Sequence, residues 1–182
     1  WIKMLKKNFS IKILGVIFLI ISFYFAYKLR TNIGLYPFII IILISIFTDI
    51  GGYIFGNFFK GPKLTKISPN KTYAGSIGGF ILSLASVLIF TKFITLEPWI
   101  VFSITEKFYN NFDLSFLIFI LLISLISQIG DLVISYFKRL AKIKDTGNLL
   151  PGHGGLLDRI DGMIFAFPFS YMIFSFSSFR FF

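Results

Sequence analysis

Stretches of about 20 apolar residues, the length that crosses a hydrocarbon core, recur at roughly 11–29, 35–56, 73–94, 114–137 and 161–179. Each is too long and too evenly apolar for a strand, and none alternates polar and apolar positions as a transmembrane barrel would. The pattern predicts an all-α polytopic membrane protein of about five transmembrane helices. Residues 1–182 read as one transmembrane domain.

The polar segments between these runs set orientation. Segment 57–72 carries Lys60, Lys63, Lys66 and Lys71 with no acid, and segment 138–159 carries Lys138, Arg139, Lys142, Lys144 and Arg159. Loops rich in Lys and Arg stay in the cytoplasm, so both are expected there. The loop between them, 95–113, sets Glu97, Glu106 and Asp113 against Lys107 and suits the far side. The amino terminus, with Lys3, Lys6, Lys7 and Lys12, then lies inside and the carboxyl terminus outside. Lys28 and Arg30 fall outside, a mild departure from the rule.

Composition closes off other classes. At 56% hydrophobic, 14% charged and a mean hydropathy of +0.85, the chain has too little polar surface to clothe a soluble globule. Cysteine is absent, which excludes disulfides, thiolate ligands and a cysteine nucleophile and leaves carboxylates and His153 as candidate metal ligands. The chain starts at Trp1, and a basic stretch leads straight into an apolar run over 11–27 that is too long for a signal peptide and has no small-residue cleavage site after it. A processed or truncated chain is expected.

Topology gives the acids a pattern. Of the six Asp, Asp49, Asp131, Asp145, Asp158 and Asp161 fall at or near the expected cytoplasmic face, and Asp113 does not. Asp131 lies about two turns inside the fourth run, roughly 10 Å deep at 1.5 Å per residue. Gln128, Asp131, Ser135 and Lys138 are spaced to share one helix face, and Asp158 and Asp161 share another. Carboxylates gathered near a bilayer repel one another unless a cation neutralises them, and hard oxygen donors favour Mg2+ or Mn2+. Lys71, Lys138, Arg139, Lys144 and Arg159 surround these acids, and Gly147, Gly152, Gly154 and Gly155 let backbone N–H groups approach an anion. Acids for metal together with bases and glycines for phosphate point to a nucleotide or phospholipid substrate and to phosphoryl or nucleotidyl transfer.

Plainer readings compete for many of these residues. Lys60, Lys63 and Lys66 suit topology signals and headgroup contacts. Gly75, Gly78 and Gly79, with Gly51, Gly52 and Gly56, have the spacing of close helix packing. Tyr53 suits an interfacial anchor, His153 a loop cap, and Asp145 a solvated pair with Lys142 or Lys144. The plain reading is weakest for Asp49, Asp131, Asp158 and Asp161, because charges within a membrane are rare and tend to be functional.

Residues 135–161, SYFKRLAKIKDTGNLLPGHGGLLDRID, closely resemble the signature of the phosphatidate cytidylyltransferases, or CDP-diacylglycerol synthases. The likeness rests on Ser135, Lys138–Arg139, Lys144–Asp145, Gly147, Pro151, His153–Gly154–Gly155, Asp158–Arg159 and Asp161. Residues 48–79 resemble the family's other polar block through Asp49, Tyr53, Gly56, Ser68-Pro69-x-Lys71-Thr72 and Gly75, and QIGDL at 128–132 resembles its intramembrane Asp segment.

The resemblance extends from about residue 35 to the end. It implies a catalytic domain that forms the carboxyl-terminal part of a longer architecture. It also implies transfer of CMP from CTP to phosphatidate, giving CDP-diacylglycerol and pyrophosphate at the cytoplasmic face of a bacterial inner membrane. On this likeness Asp131, Asp158, Lys138, Arg139, Lys144, Asp145 and His153 are expected to be catalytic, and Ser68, Lys71, Thr72, Ser135, Gly154, Gly155 and Arg159 to bind substrate. Asp131 and Asp158, with Asp49 and Asp161, are expected to hold Mg2+, with a second, monovalent cation left open. The implied partners are CTP, phosphatidate and membrane lipid but no nucleic acid, with homodimerisation open. Other readings are a CDP-alcohol phosphotransferase, whose Asp spacing is not found here, and an ion-coupled transporter, whose acids would spread across the membrane.

Overall fold

A computed structural model describes residues 9–65, 68, 70–95, 114–140, 142, 143, 146, 155 and 157–176. Helix α1 (Phe9–Lys28) runs into a π-helical turn over Leu29–Ile33 and reverses at Gly34 into α2 (Leu35–Phe59); α3 (Tyr73–Thr95), α4 (Leu114–Leu140) and α5 (Leu157–Phe176) follow. Gly34 takes φ +128°, a conformation that L side chains rarely adopt, and its N–H closes on Leu29 O at 3.0 Å. This turn ends the α1 segment and starts α2.

The burial pattern is that of a protein built for lipid. Ile13, Leu14, Ile20, Tyr24, Ile77, Ile89 and Leu122 are exposed, whereas Ser22, Ser45, Thr48, Ser83, Ser86, Ser124, Ser127 and Ser170 are buried. Many of these hydroxyls satisfy themselves on the preceding turn, as Ser45 does on Ile41 O at 3.1 Å and Ser22 on Phe18 O at 2.9 Å. Small hydroxyl residues inside and large apolar ones outside are how membrane helices pack without a hydrophobic driving force between them. Among the described residues, four helical stretches are long and apolar enough to cross a membrane, Ile13–Ile33, Leu35–Phe59, Tyr73–Thr91 and Leu114–Leu140. The apolar stretch of α5 begins only after polar opening turns that hold Asp158, Arg159 and Asp161. The chain is an integral membrane protein.

The expected glycine packing is present and tight. A Cβ on Gly51 would strike the Gly78 carbonyl and approach Gly79 Cα to 2.9 Å, and one on Gly75 would come within 2.6 Å of Gly52 O. Helices α2 and α3 therefore meet backbone to backbone. Between α4 and α5 the glycines instead make room for side chains, Phe165 filling the space over Gly130 and Ser127 that over Gly162. Among apolar side chains, Ile40, Ile41 and Ile44 of α2 meet Phe116, Phe119, Ile120 and Ile123 of α4 in one core cluster with Ala166 and Phe167 of α5.

Glu97, Glu106, Lys107 and Asp113 of the expected far-side loop lie outside the described residues, as do Lys3, Lys6 and Lys7.

Candidate active site

Helix geometry brings four ends together. The second half of α2, the first turns of α3, the last turns of α4 and the first turn of α5 enclose a cavity of about 740 Å³. Asp49, Asp131, Asp158, Asp161, Lys71, Thr72, Gln128 and Arg159 line it, with Ile46, Ile50, Tyr53 and Met163 as an apolar side. Tyr53, expected as an interfacial anchor, is 73% exposed at this mouth.

The segment between α2 and α3 is shaped to present Lys71. Helix α2 stops where Lys60 turns left-handed at φ 42° and its N–H bonds Gly56 O at 3.2 Å. Leu64 N–H then donates to Lys71 O at 2.7 Å, Tyr73 N–H to Pro62 O at 3.1 Å and Lys71 N–H to Ser68 O at 3.0 Å. Thr72 caps α3, its Oγ1 accepting from Gly75 N–H at 3.1 Å. Ser68 thus contributes its backbone to the turn that carries Lys71, and Thr72 both caps and lines the cavity.

The predicted face of α4 is used at every position. Gln128 meets Ser76 of α3 twice, its Oε1 accepting from the hydroxyl and its Nε2 donating to the carbonyl at 3.3 Å. One turn later Asp131 pairs with Lys71, and Ser135 Oγ donates to Asp131 Oδ1 at 3.5 Å. One turn beyond that, Lys138 Nζ reaches Asp158 Oδ1 at 3.0 Å and Asp161 Oδ2 at 3.6 Å. Helix α4 then ends in a Schellman-type turn: Lys142 takes φ 56°, and Ile143 N–H bonds Lys138 O at 3.1 Å. Arg139 is exposed at this turn.

Asp158 collects three donors. Besides Lys138, its Oδ2 accepts from Thr146 N–H at 2.9 Å and Gly155 N–H at 2.8 Å. Burial alone would raise its pKa; the two backbone donors and Lys138 outweigh that and hold it below the ordinary carboxylate value. It is an anion at neutral pH. The aspartate ties both ends of the segment between Thr146 and Gly155 to α4. Gly155 is buried there.

Asp161 is 4% exposed and lines the same cavity as Asp131. Asp49 lies near enough to both to interact with their charge. Among the described residues no three acids by themselves form a closed ligand set for a metal ion. Two or three carboxylate oxygens with the rest of the sphere open is nevertheless the arrangement in which Mg2+ is held by one or two carboxylates, water and substrate phosphate. The donor chemistry fits that ion. Lys144, Asp145, His153 and Gly154 lie outside the described residues.

One buried contact was not evident beforehand. Thr48 Oγ1 and Ser124 Oγ meet at 2.7 Å and join α2 to α4 one residue before Asp49. Nothing in the sequence distinguishes this pair from the other hydroxyls that bond within their own helices.

The chain from residue 3 to residue 177 matches the model of a known family, described as the cytidylyltransferase family. The chain belongs to it. A phosphatidate cytidylyltransferase of Staphylococcus aureus (strain COL) is 39% identical over 159 residues, which cover 86% of this chain and 55% of that protein. Those of Staphylococcus haemolyticus (strain JCSC1435) and Staphylococcus saprophyticus are 37% and 36% identical over the same lengths. This cytidylyltransferase-family chain spans about half the length of the curated relatives it matches.

Proposed function

We propose that the protein transfers CMP from CTP to phosphatidate at the cytoplasmic face of a bacterial inner membrane, giving CDP-diacylglycerol and pyrophosphate. The observation that carries this reading is one cavity in which Asp49, Asp131, Asp158 and Asp161 face Lys71 and Arg159, in a chain of the cytidylyltransferase family. The lysine-rich segments at this end of the bundle support the cytoplasmic placement.

In the reaction a phosphate oxygen of phosphatidate forms a bond to the α-phosphorus of CTP, and the bond between that phosphorus and the bridging β-phosphate oxygen breaks. Pyrophosphate leaves with the electron pair. The nucleophile is already an anion, so no strong general base is needed, and catalysis reduces to positioning and charge neutralisation. Lys71, Lys138 and Arg159 supply positive charge beside the phosphates. Ser135 and Gln128 hold Asp131 and α3 in place. The apolar side of the cavity, Ile46, Ile50 and Met163, suits acyl chains that remain in the leaflet while the nucleotide enters from water.

Asp131 and Asp161, with Asp49 and Asp158 beside them, are the residues that would hold Mg2+. When bound, that ion supplies charge neutralisation of the triphosphate and of the leaving pyrophosphate. The testing experiment follows label from the α-phosphate of CTP into lipid in vesicles that contain phosphatidate. Label is expected in lipid only when both substrates and a divalent cation are present. Absence of labelled lipid from a folded preparation would reject the proposal.

A further inference from the structure

The acids of the cavity are paired with lysines. Lys71 pairs with Asp131, and Lys138 lies between Asp158 and Asp161 at 3.0 and 3.6 Å. The side chains of Lys71 and Asp131 are about a quarter exposed, and those of Lys138, Asp158 and Asp161 less. These pairs are shielded from bulk water and weakly screened. Each lysine comes from a different helix end: Lys71 from the turn before α3, Lys138 from the last turns of α4. Their positions are built, Lys71 by a loop in which Leu64 N–H donates to Lys71 O, Lys71 N–H to Ser68 O and Tyr73 N–H to Pro62 O, and Lys138 by the helix that carries Asp131 two turns earlier.

We propose that Lys71 and Lys138 are internal stand-ins for the divalent cation. They neutralise the carboxylates before the cation binds and are displaced from them onto the nucleotide phosphates when it enters. This rests on the function proposed above and adds to it an exchange of partners. Both lysines and the cation compete for the same oxygens, so cation alone must displace an ammonium that then has no partner. When a polyphosphate arrives with the cation, the released ammonium finds a new anion. Cation and nucleotide therefore bind with positive coupling, which by linkage is the same whichever binds first.

The test is Mn2+ binding, read from the spectrum of free Mn2+ on the purified full chain in detergent, with and without CTP. Wild type is expected to bind Mn2+ weakly alone and about tenfold more tightly with CTP, within the usual range of coupling between sites. Lys71→Met removes the competitor and is expected to bind Mn2+ alone about tenfold more tightly than wild type, with the effect of CTP reduced. Lys71→Arg keeps a cation at Asp131 and is expected to stay weak. Lys71→Gln, which removes the charge but keeps a hydrogen-bond donor beside Asp131, serves if Lys71→Met does not fold, and Lys138→Met provides the same comparison at Asp158 and Asp161. Equal or weaker Mn2+ binding by folded Lys→Met variants, with wild type still binding Mn2+ in the presence of CTP, would overturn the exchange alone. Failure of wild type to bind Mn2+ even with CTP would overturn both the exchange and the metal-dependent reading.

Discussion

Lys138 Nζ sits 3.0 Å from Asp158 Oδ1 and so joins the last turns of α4 to the first turn of α5. The pair spans 20 residues of sequence. Lys138→Met would leave two carboxylates, Asp158 and Asp161, facing a low-dielectric cavity without their counter-charge, which for a buried pair costs about 3–5 kcal/mol. The expected outcome is a clear fall in melting temperature together with loss of cytidylyl transfer. Unfolding curves in detergent and the lipid-label assay check it, and unchanged stability would show that the pair is not part of the packed site.

A second expectation concerns pH. Asp158 has its pKa depressed in the folded protein, so the stability it contributes is fully present above the ordinary carboxyl value of 3.8 and is lost as pH falls through the lower folded value. Asp158→Asn should be less stable than wild type at neutral pH, and the difference should shrink once pH falls below that of the free carboxyl. A constant difference down to acid would mean that charge at Asp158 does not matter.

Gly51 offers a test of packing apart from chemistry. An added methyl would strike the Gly78 carbonyl, which cannot move without moving α3. Gly51→Ala is expected to destabilise by about 1–3 kcal/mol, the range for overpacked sites, and to lower activity by shifting Lys71 relative to Asp131. Gly52→Ala, whose Cβ would meet only Gly75 O at 3.8 Å, should be mild. Thermal unfolding of the two variants side by side decides this.

Gln128 holds α3 through both its amide atoms, and Lys71 lies just before that helix. Gln128→Leu would leave Ser76 short of its partner at a cost of about 1 kcal/mol. The expected kinetic signature is a larger change in turnover than in stability, since the Lys71–Asp131 pair loses its alignment. Steady-state rates against CTP, beside an unfolding curve, would show it.

Much of this arrangement is legible along the chain, and the reason is periodicity. Gln128, Asp131, Ser135 and Lys138 could be placed on one face because helical spacing fixes which residues point together. All four do make contacts across that face. The small residues of TYAGSIGGF and of Gly51 and Gly52 announce a close crossing because only glycine permits one. Spacing does not say which partner a face meets. That Lys71 reaches Asp131 rather than Asp49, or that Thr48 bonds Ser124 while Ser45 bonds its own helix, depends on helix rotation and crossing set by the whole bundle. Asp158 also accepts from the backbone N–H groups of Thr146 and Gly155, a contact that no side-chain pattern encodes.

The most direct measurement is the transfer of labelled CMP from CTP to phosphatidate by purified Asp131→Asn, matched to wild type in folding and lipid content. The carboxylate beside Lys71 and Asp161 is central to the account, so activity with Mg2+ is expected to fall by at least about a hundredfold, as for a lost electrostatic contribution of about 3 kcal/mol to the transition state. Near-normal Mg2+-dependent transfer by the folded variant would contradict it.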